Sequence, residues 1–172
     1  LVLGLEVGLV FVLLPGGRLP VEDVQEPNAL NEVELHPYLL SKYELTRGQW
    51  SRIAKGWAGR YTAFETTSLL HPADNVSWDD CQQFLGRLPG WLALPSEAQW
   101  ENGCRAGTTT RWWSGDQEDL LEGAAHMQKN WSIGPLAVGS LQANPYGLHD
   151  LHGNLWEWCQ DSWTEGLAPR PG

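Results

Sequence analysis

The chain has 172 residues, 42% of them apolar, which fits one folded domain and is too apolar for a disordered chain. Its 19 glycines and 11 prolines make it rich in turns and argue against a helical bundle. A formal charge of −10 excludes a default nucleic-acid backbone binder, because phosphates need bases to neutralise them, and it leaves room for a hard cation.

The N-terminal apolar run, Leu1 to Leu14, contains Glu6, has no Lys or Arg before it, and is too short to span a bilayer. No transmembrane segment is expected. Val7–Leu14 reads as a buried strand closed by the turn Pro15-Gly16-Gly17, the alternative being the remnant of a secretory leader. Leu19 to Asn31, rich in Pro, Asn and acids, reads as a loop. Val33-Glu34-Leu35-His36 then alternates, and Tyr38 to Leu45 continues as strand-like sequence.

Three helix starts follow. Thr46-Arg47-Gly48-Gln49 fits a capping box, in which the Thr hydroxyl satisfies a free amide while Gln reaches back. Ser77-Trp78-Asp79-Asp80 opens a second helix with acids where the helix dipole favours them. Its apolar stripe would be Trp78, Cys81, Phe84, Leu85 and Leu88. Ser96-Glu97-Ala98-Gln99 is another capping box, and Gly107 is the expected stop. From Thr108 on, helical periodicity vanishes and turns separate short apolar pieces. The expected class is therefore α+β with a large share of coil.

Cys81, Cys104 and Cys159 sit far apart with no CxxC pair, which excludes a zinc ribbon and a disulfide-rich scaffold. They are expected as reduced thiols in a core. The eleven tryptophans could form a stacking face for a sugar or peptide, but in a coil-rich fold most are expected to fill space between loops.

Several segments carry a wider resemblance. They are Val10 to Gly17, Ser41 to Trp50, His71-Pro72-Ala73-Asp74-Asn75-Val76-Ser77-Trp78, Leu94-Pro95-Ser96-Glu97-Ala98-Gln99-Trp100-Glu101, and Asn144 to Cys159 with its core Asp150-Leu151-His152-Gly153-Asn154-Leu155-Trp156-Glu157. In this order they resemble the formylglycine-generating enzyme (sulfatase-modifying factor) family over residues 7 to 163. The resemblance implies a C-type-lectin-like fold and a single domain over 1–172. It also implies a protein or peptide substrate.

The departures bear on chemistry. Oxidase members of the family carry their copper-binding cysteine pair downstream of an Arg-Gly-Gly-Ser-Trp block, whereas this chain stops at Pro171-Gly172, and none of its cysteines matches the catalytic position. Copper is therefore not expected, since Cu(I) selects thiolates. The expected function is a formylglycine-generating-enzyme-like domain, inactive as given and lacking the family's C-terminal segment. The alternative is a non-catalytic C-type-lectin-like module that binds a protein, peptide or glycan.

Asp150 and Glu157 flank a Gly-containing turn that can wrap backbone oxygens around an ion, as calcium requires. By resemblance to the family's calcium site, Asp150 and Glu157 supply carboxylates while Gly153 and Leu155 supply carbonyls. Without that resemblance, the stretch would read as a surface turn whose Asp caps an amide. A second family calcium site would need Asn at His126 and is not expected. His149 and His152 flank the same turn, but two imidazoles on a turn fall short of a zinc site. Glu26-Pro27-Asn28 matches a sugar-binding tripeptide by coincidence. Asn75-Val76-Ser77 and Asn130-Trp131-Ser132 match the glycosylation pattern, although Ser77 is better explained as a helix cap.

Overall fold

The computed structural model describes residues 2–4, 7–22, 30–54, 68–127 and 134–162. Six short strands form three antiparallel ribbons: β1 (Val2–Gly4) with β2 (Val7–Gly8), β3 (Phe11–Leu14) with β6 (Tyr38–Ser41), and β4 (Gly17–Glu22) with β5 (Leu30–Leu35). Three helices follow, α1 (Arg47–Ile53), α2 (Trp78–Leu85) and α3 (Glu97–Arg105), and then a single 3-10 turn at Glu118–Leu121. The rest of the described residues is coil, as the turn-rich composition implies. Among the described residues, no helix is long and apolar enough to cross a membrane.

The N-terminal strand is interrupted. The chain changes partner between Gly8 and Phe11, from β1 to β6, so Val7–Leu14 is two strands rather than one. The expected loop from Leu19 is also corrected, because β4 runs through Leu19 to Glu22 and pairs with β5, Leu19 opposite Val33 and Pro20 opposite Glu32. A two-stranded ribbon leaves each strand an unpaired edge, which is where a proline without an amide hydrogen is tolerated. Glu26-Pro27-Asn28 lies outside the described residues, as do Asn130-Trp131-Ser132 and Trp163.

All three helix starts carry the expected boxes. The hydroxyls of Thr46, Ser77 and Ser96 accept from the third helical amide, and Gln49, Asp80 and Gln99 reach back to the capping amides. α3 ends one residue before the expected stop, with Ala106 in the left-handed region ahead of Gly107.

Packing centres on α3. A Cβ at Gly103 would lie 2.7 Å from Leu40 Cδ2 and 3.3 Å from Leu148 Cδ1, so glycine lets the helix backbone close on β6 and on the C-terminal loops. Leu14 and Leu148, each 1% exposed, complete that contact. Tyr38 Oη donates to the Gln99 carbonyl and accepts from Asn102 Nδ2, while Asn144 Nδ2 donates to the Gly103 carbonyl. α1 and α2 meet through Trp50 and Phe84, both buried. Of the expected α2 stripe, Trp78 instead lies at the surface edge.

Candidate functional site

The segment from His149 to Glu157 lies at the centre of the C-terminal coil. Asp150 (φ 67°), Gly153 (φ 142°) and Asn154 (φ 66°) all have left-handed backbone. Asx residues tolerate this region, but each departure costs energy and persists only where the surroundings over-determine it. Gly153 is required sterically as well, because a Cβ there would sit 2.3 Å from the His126 carbonyl oxygen.

The surroundings do over-determine it. Asp150 Oδ2 accepts from the Gly139 amide at 2.7 Å. Asn154 donates its amide to the His126 carbonyl at 2.9 Å, and its Oδ1 accepts from the Leu136 amide at 2.8 Å. From the other side of the molecule, the Glu44 carboxylate accepts from Asn154 Nδ2 and, at 3.0 Å, from the Leu155 amide. Asp150, Asn154 and Glu44 are all buried. Polar side chains buried this deeply are stable only when their hydrogen bonds are met, as here.

Two buried carboxyls, Glu44 and Asp150, therefore lie in a low-dielectric neighbourhood, with the exposed Glu157 near enough for its charge to be felt. Burial pushes Glu44 up to about 9, helped by the charges of Glu157 and Asp150 and opposed by the bonds from Asn154 and Leu155. Burial raises Asp150, with the Gly139 bond opposing it. Glu157 is exposed beside the larger cavity. It is pushed up to about 7, desolvation by its neighbours raising it most, the nearby Trp100 indole opposing and the Asp150 charge adding.

Such a cluster suits a divalent cation, which would favour the charged carboxylates that desolvation disfavours. Among the described residues, no three His, Cys, Asp or Glu side chains converge as a ligand set. A cation here would therefore need loop carbonyls for much of its shell, a donor mixture that fits calcium and not zinc.

The histidines are engaged elsewhere. His149 Nδ1 donates to the Leu141 carbonyl at 2.9 Å, and its ring lies on Tyr43. His152 Nε2 accepts from the Trp113 amide at 3.2 Å, while Nδ1 lies 3.3 Å from Cys104 Sγ. His126 Nε2 lies 2.9 Å from the Gly134 carbonyl.

Residues 156–159 belong to no helix or strand, and just after them the Gln160 amide donates to the Pro95 carbonyl at 2.9 Å. Trp156 is 100% exposed and Trp158 49%, against the expectation that these indoles fill the core. Their indoles border a cavity of about 1330 Å³ that also reaches Trp78, Trp100 and Met127. Trp158 Nε1 donates to the Val76 carbonyl, and Trp78 Nε1 to the Cys159 carbonyl. Asp161 accepts from the Glu97 amide at the start of α3, which anchors the far end of the segment. A second, apolar cavity of about 230 Å³ lies between Phe11, Leu40, Trp50, Phe84 and Leu92.

All three cysteines are free thiols. Burial pushes Cys81 up to about 11 and Cys104 and Cys159 up to about 12. Glu44 is the functional position that sequence reasoning missed. Its signal was a lone acid between Tyr43 and Leu45 in an otherwise strand-like run.

Comparison with known proteins places these features. A family model described as "Sulfatase-modifying factor enzyme 1-like domain" matches residues 8–169. The formylglycine-generating enzyme of Mus musculus is 30% identical over 67% of this chain and 35% of its own length. That of Mycobacterium tuberculosis is 36% identical over 51% of this chain and 32% of its own. The serine/threonine-protein kinase pkn1 of Chlamydia caviae is 36% identical over 87% of this chain and 27% of its own. The chain thus spans about a third of the length of the curated relatives it matches. Among solved structures, Treponema denticola variable protein 1 superposes with a TM-score of 0.79 at 20% identity, covering 92% of this chain and 75% of that one. PvdO from Pseudomonas aeruginosa superposes with a TM-score of 0.72 at 23% identity, covering 90% and 71%.

Proposed function

The chain belongs to the formylglycine-generating enzyme (sulfatase-modifying factor) family and has its coil-rich, C-type-lectin-like α+β fold, and from that premise we propose that these residues supply a calcium-stabilised scaffold and not the oxidase chemistry. The buried Asp150 carboxylate in the left-handed 150–154 turn, within the segment the family model matches, supports the scaffold half of this reading. Asp150 and Glu157 would hold calcium with their carboxylates, and Gly153 and Leu155 with their carbonyls. The ion would supply structural charge compensation in the loop.

The thiols support the second half of the proposal. Formylglycine formation needs a soft metal on a thiolate pair, whereas Cys104 Sγ is engaged by the Leu151 carbonyl and His152 Nδ1, and all three thiols are free and raised by burial. The exposed indoles of Trp156 and Trp158 favour a protein or peptide segment as the partner, because aromatic surfaces bury large area on contact. Incubating the chain with copper, a thiol reductant and a Cys-x-Pro-x-Arg peptide, followed by mass spectrometry, should show no conversion above the metal-only background. Turnover above that background refutes the non-oxidase assignment.

A further inference from the structure

The larger cavity has walls of a particular chemistry. Trp78, Trp100, Trp156 and Trp158 border it, as do the acids Glu97, Glu157 and Asp161, and among the described residues no Lys or Arg does. Trp156 is wholly exposed there, and Trp78 and Trp158 are partly so. Aromatic surface gathered in one concave place marks a binding site.

Two of the indoles are tied. Trp158 Nε1 donates to the Val76 carbonyl and Trp78 Nε1 to the Cys159 carbonyl, so each ring is fastened to the chain beside the other. An indole has one N–H and no acceptor, so a ring held this way has only its faces left for a ligand. Those faces are electron-rich and attract cations. The charge of the wall agrees. Asp161 accepts from the Glu97 amide, which brings both carboxylates to the start of α3. Burial raises Glu97, and the Asp161 and Glu101 charges add to it, a repulsion that a cation would relieve and a neutral ligand would not.

We propose that this cavity receives the alkylammonium head of a lysine side chain from a peptide partner, held on the indole faces and neutralised by Glu97 and Asp161. Its volume of about 1330 Å³ exceeds the roughly 300–1,000 Å³ of small-molecule sites, so the head arrives on a larger segment. A compact ammonium can rest against more than one ring, whereas a planar guanidinium stacks on one. This gives the peptide-partner reading its chemistry and rests on it.

The probes are acetylated, amidated Gly-Gly-X-Gly-Gly peptides with Lys, Arg or norleucine at X. They are titrated into the full chain in EGTA, which keeps divalent cations off the carboxylates, and followed by NMR of the indole N–H signals. The Lys peptide should bind about tenfold tighter than the uncharged norleucine peptide, the sum of a cation–π contact and an ion pair. Trp156→Leu should weaken the Lys peptide about 3–30-fold, the span of one cation–π contact, and Trp156→Phe, which keeps a ring face, by less. Asp161→Asn keeps an oxygen for the Glu97 amide and should weaken it about 2–5-fold at low salt, with a smaller loss at high salt. Equal binding of the Lys and norleucine peptides leaves a peptide site but overturns the ammonium assignment. A tighter Arg peptide, equal effects of Trp156→Leu and Trp156→Phe, or an Asp161→Asn chain with wild-type affinity at low salt likewise overturns it. If no peptide binds, the peptide-partner reading fails as well.

Discussion

Cys104 and His152 meet 48 residues apart in sequence, with Sγ 3.3 Å from Nδ1. The Trp113 amide donates to the other ring nitrogen, Nε2, so the neutral ring carries its proton on Nδ1 and donates toward sulfur. The thiol in turn donates to the Leu151 carbonyl. A thiolate–imidazolium pair would put a second proton on Nε2, facing the Trp113 amide donor to donor. Burial lowers His152 and raises Cys104, which opposes that pair further. Cys104 is therefore a tie between α3 and the loop and not a nucleophile.

Iodoacetamide at pH 8 should accordingly modify Cys104 slowly in the native chain and rapidly in denaturant, as read by peptide mass mapping. The reagent attacks thiolates, and both burial and protonation withhold them. Native labelling of Cys104 at the rate of an exposed thiol contradicts this network.

Trp50 and Phe84 stack with ring centroids 4.7 Å apart and an interplanar angle of 16°, joining α1 to α2. Both are buried, so Phe84→Ala should cost about 3–5 kcal/mol in chemical unfolding. Trp156→Ala should stay within about 0.5 kcal/mol of wild type, because the indole is fully exposed. Equal losses for the two variants would mean that Trp156 is covered in solution.

How much of this was legible follows from the range of each signal. The capping boxes at Thr46, Ser77 and Ser96 are satisfied within four residues, so local sequence determines them. β5 is half legible in the alternation from Val33, but β4 reads as loop because of Pro20 and the surrounding acids, while its formation depends on a partner strand. Trp156 and Trp158 were placed inside on composition, but their burial depends on what faces Leu155–Ser162, which no local pattern encodes. Glu44 was missed for the same reason. Its partners lie more than a hundred residues away.

A pH dependence follows from the same carboxyl. Glu44 ionises near its ordinary value of 4.5 when unfolded and near about 9 when folded, so between those values the folded chain holds a proton that the unfolded chain has lost. Stability should therefore fall as pH rises through that window. The lowered imidazole of His152 works in the opposite direction near its ordinary 6.5, so the range above about 7 is free of that opposition. The raised thiols add a decline of the same sign toward about pH 9, and the difference between wild type and Glu44→Gln isolates the carboxyl. In EGTA, Tm should decline from pH 7.5 to 9 (about the upper half of the Glu44 window), and Glu44→Gln should flatten the decline. A rising wild-type Tm across that range contradicts the buried carboxyl.

Calcium should stabilise the fold separately, because a cation favours the charged forms of Asp150 and Glu157, both of which are raised above the ordinary carboxyl range. At a concentration 100 times its dissociation constant, the ion should add about 2.7 kcal/mol to the folded state. Asp150→Ala should abolish that increment. His152→Ala should lower stability on its own, since the ring bridges Trp113 and Cys104, yet it should retain most of the calcium increment because the imidazole is outside the proposed shell. The measurement is thermal unfolding in excess EGTA and again in millimolar calcium, for wild type and both variants. The decisive comparison is the difference between the two midpoints within each protein, which cancels the intrinsic cost of each substitution. A wild-type midpoint unmoved by calcium makes the 150–157 loop an acidic turn held by hydrogen bonds with Glu44, His126, Leu136 and Gly139 without an ion.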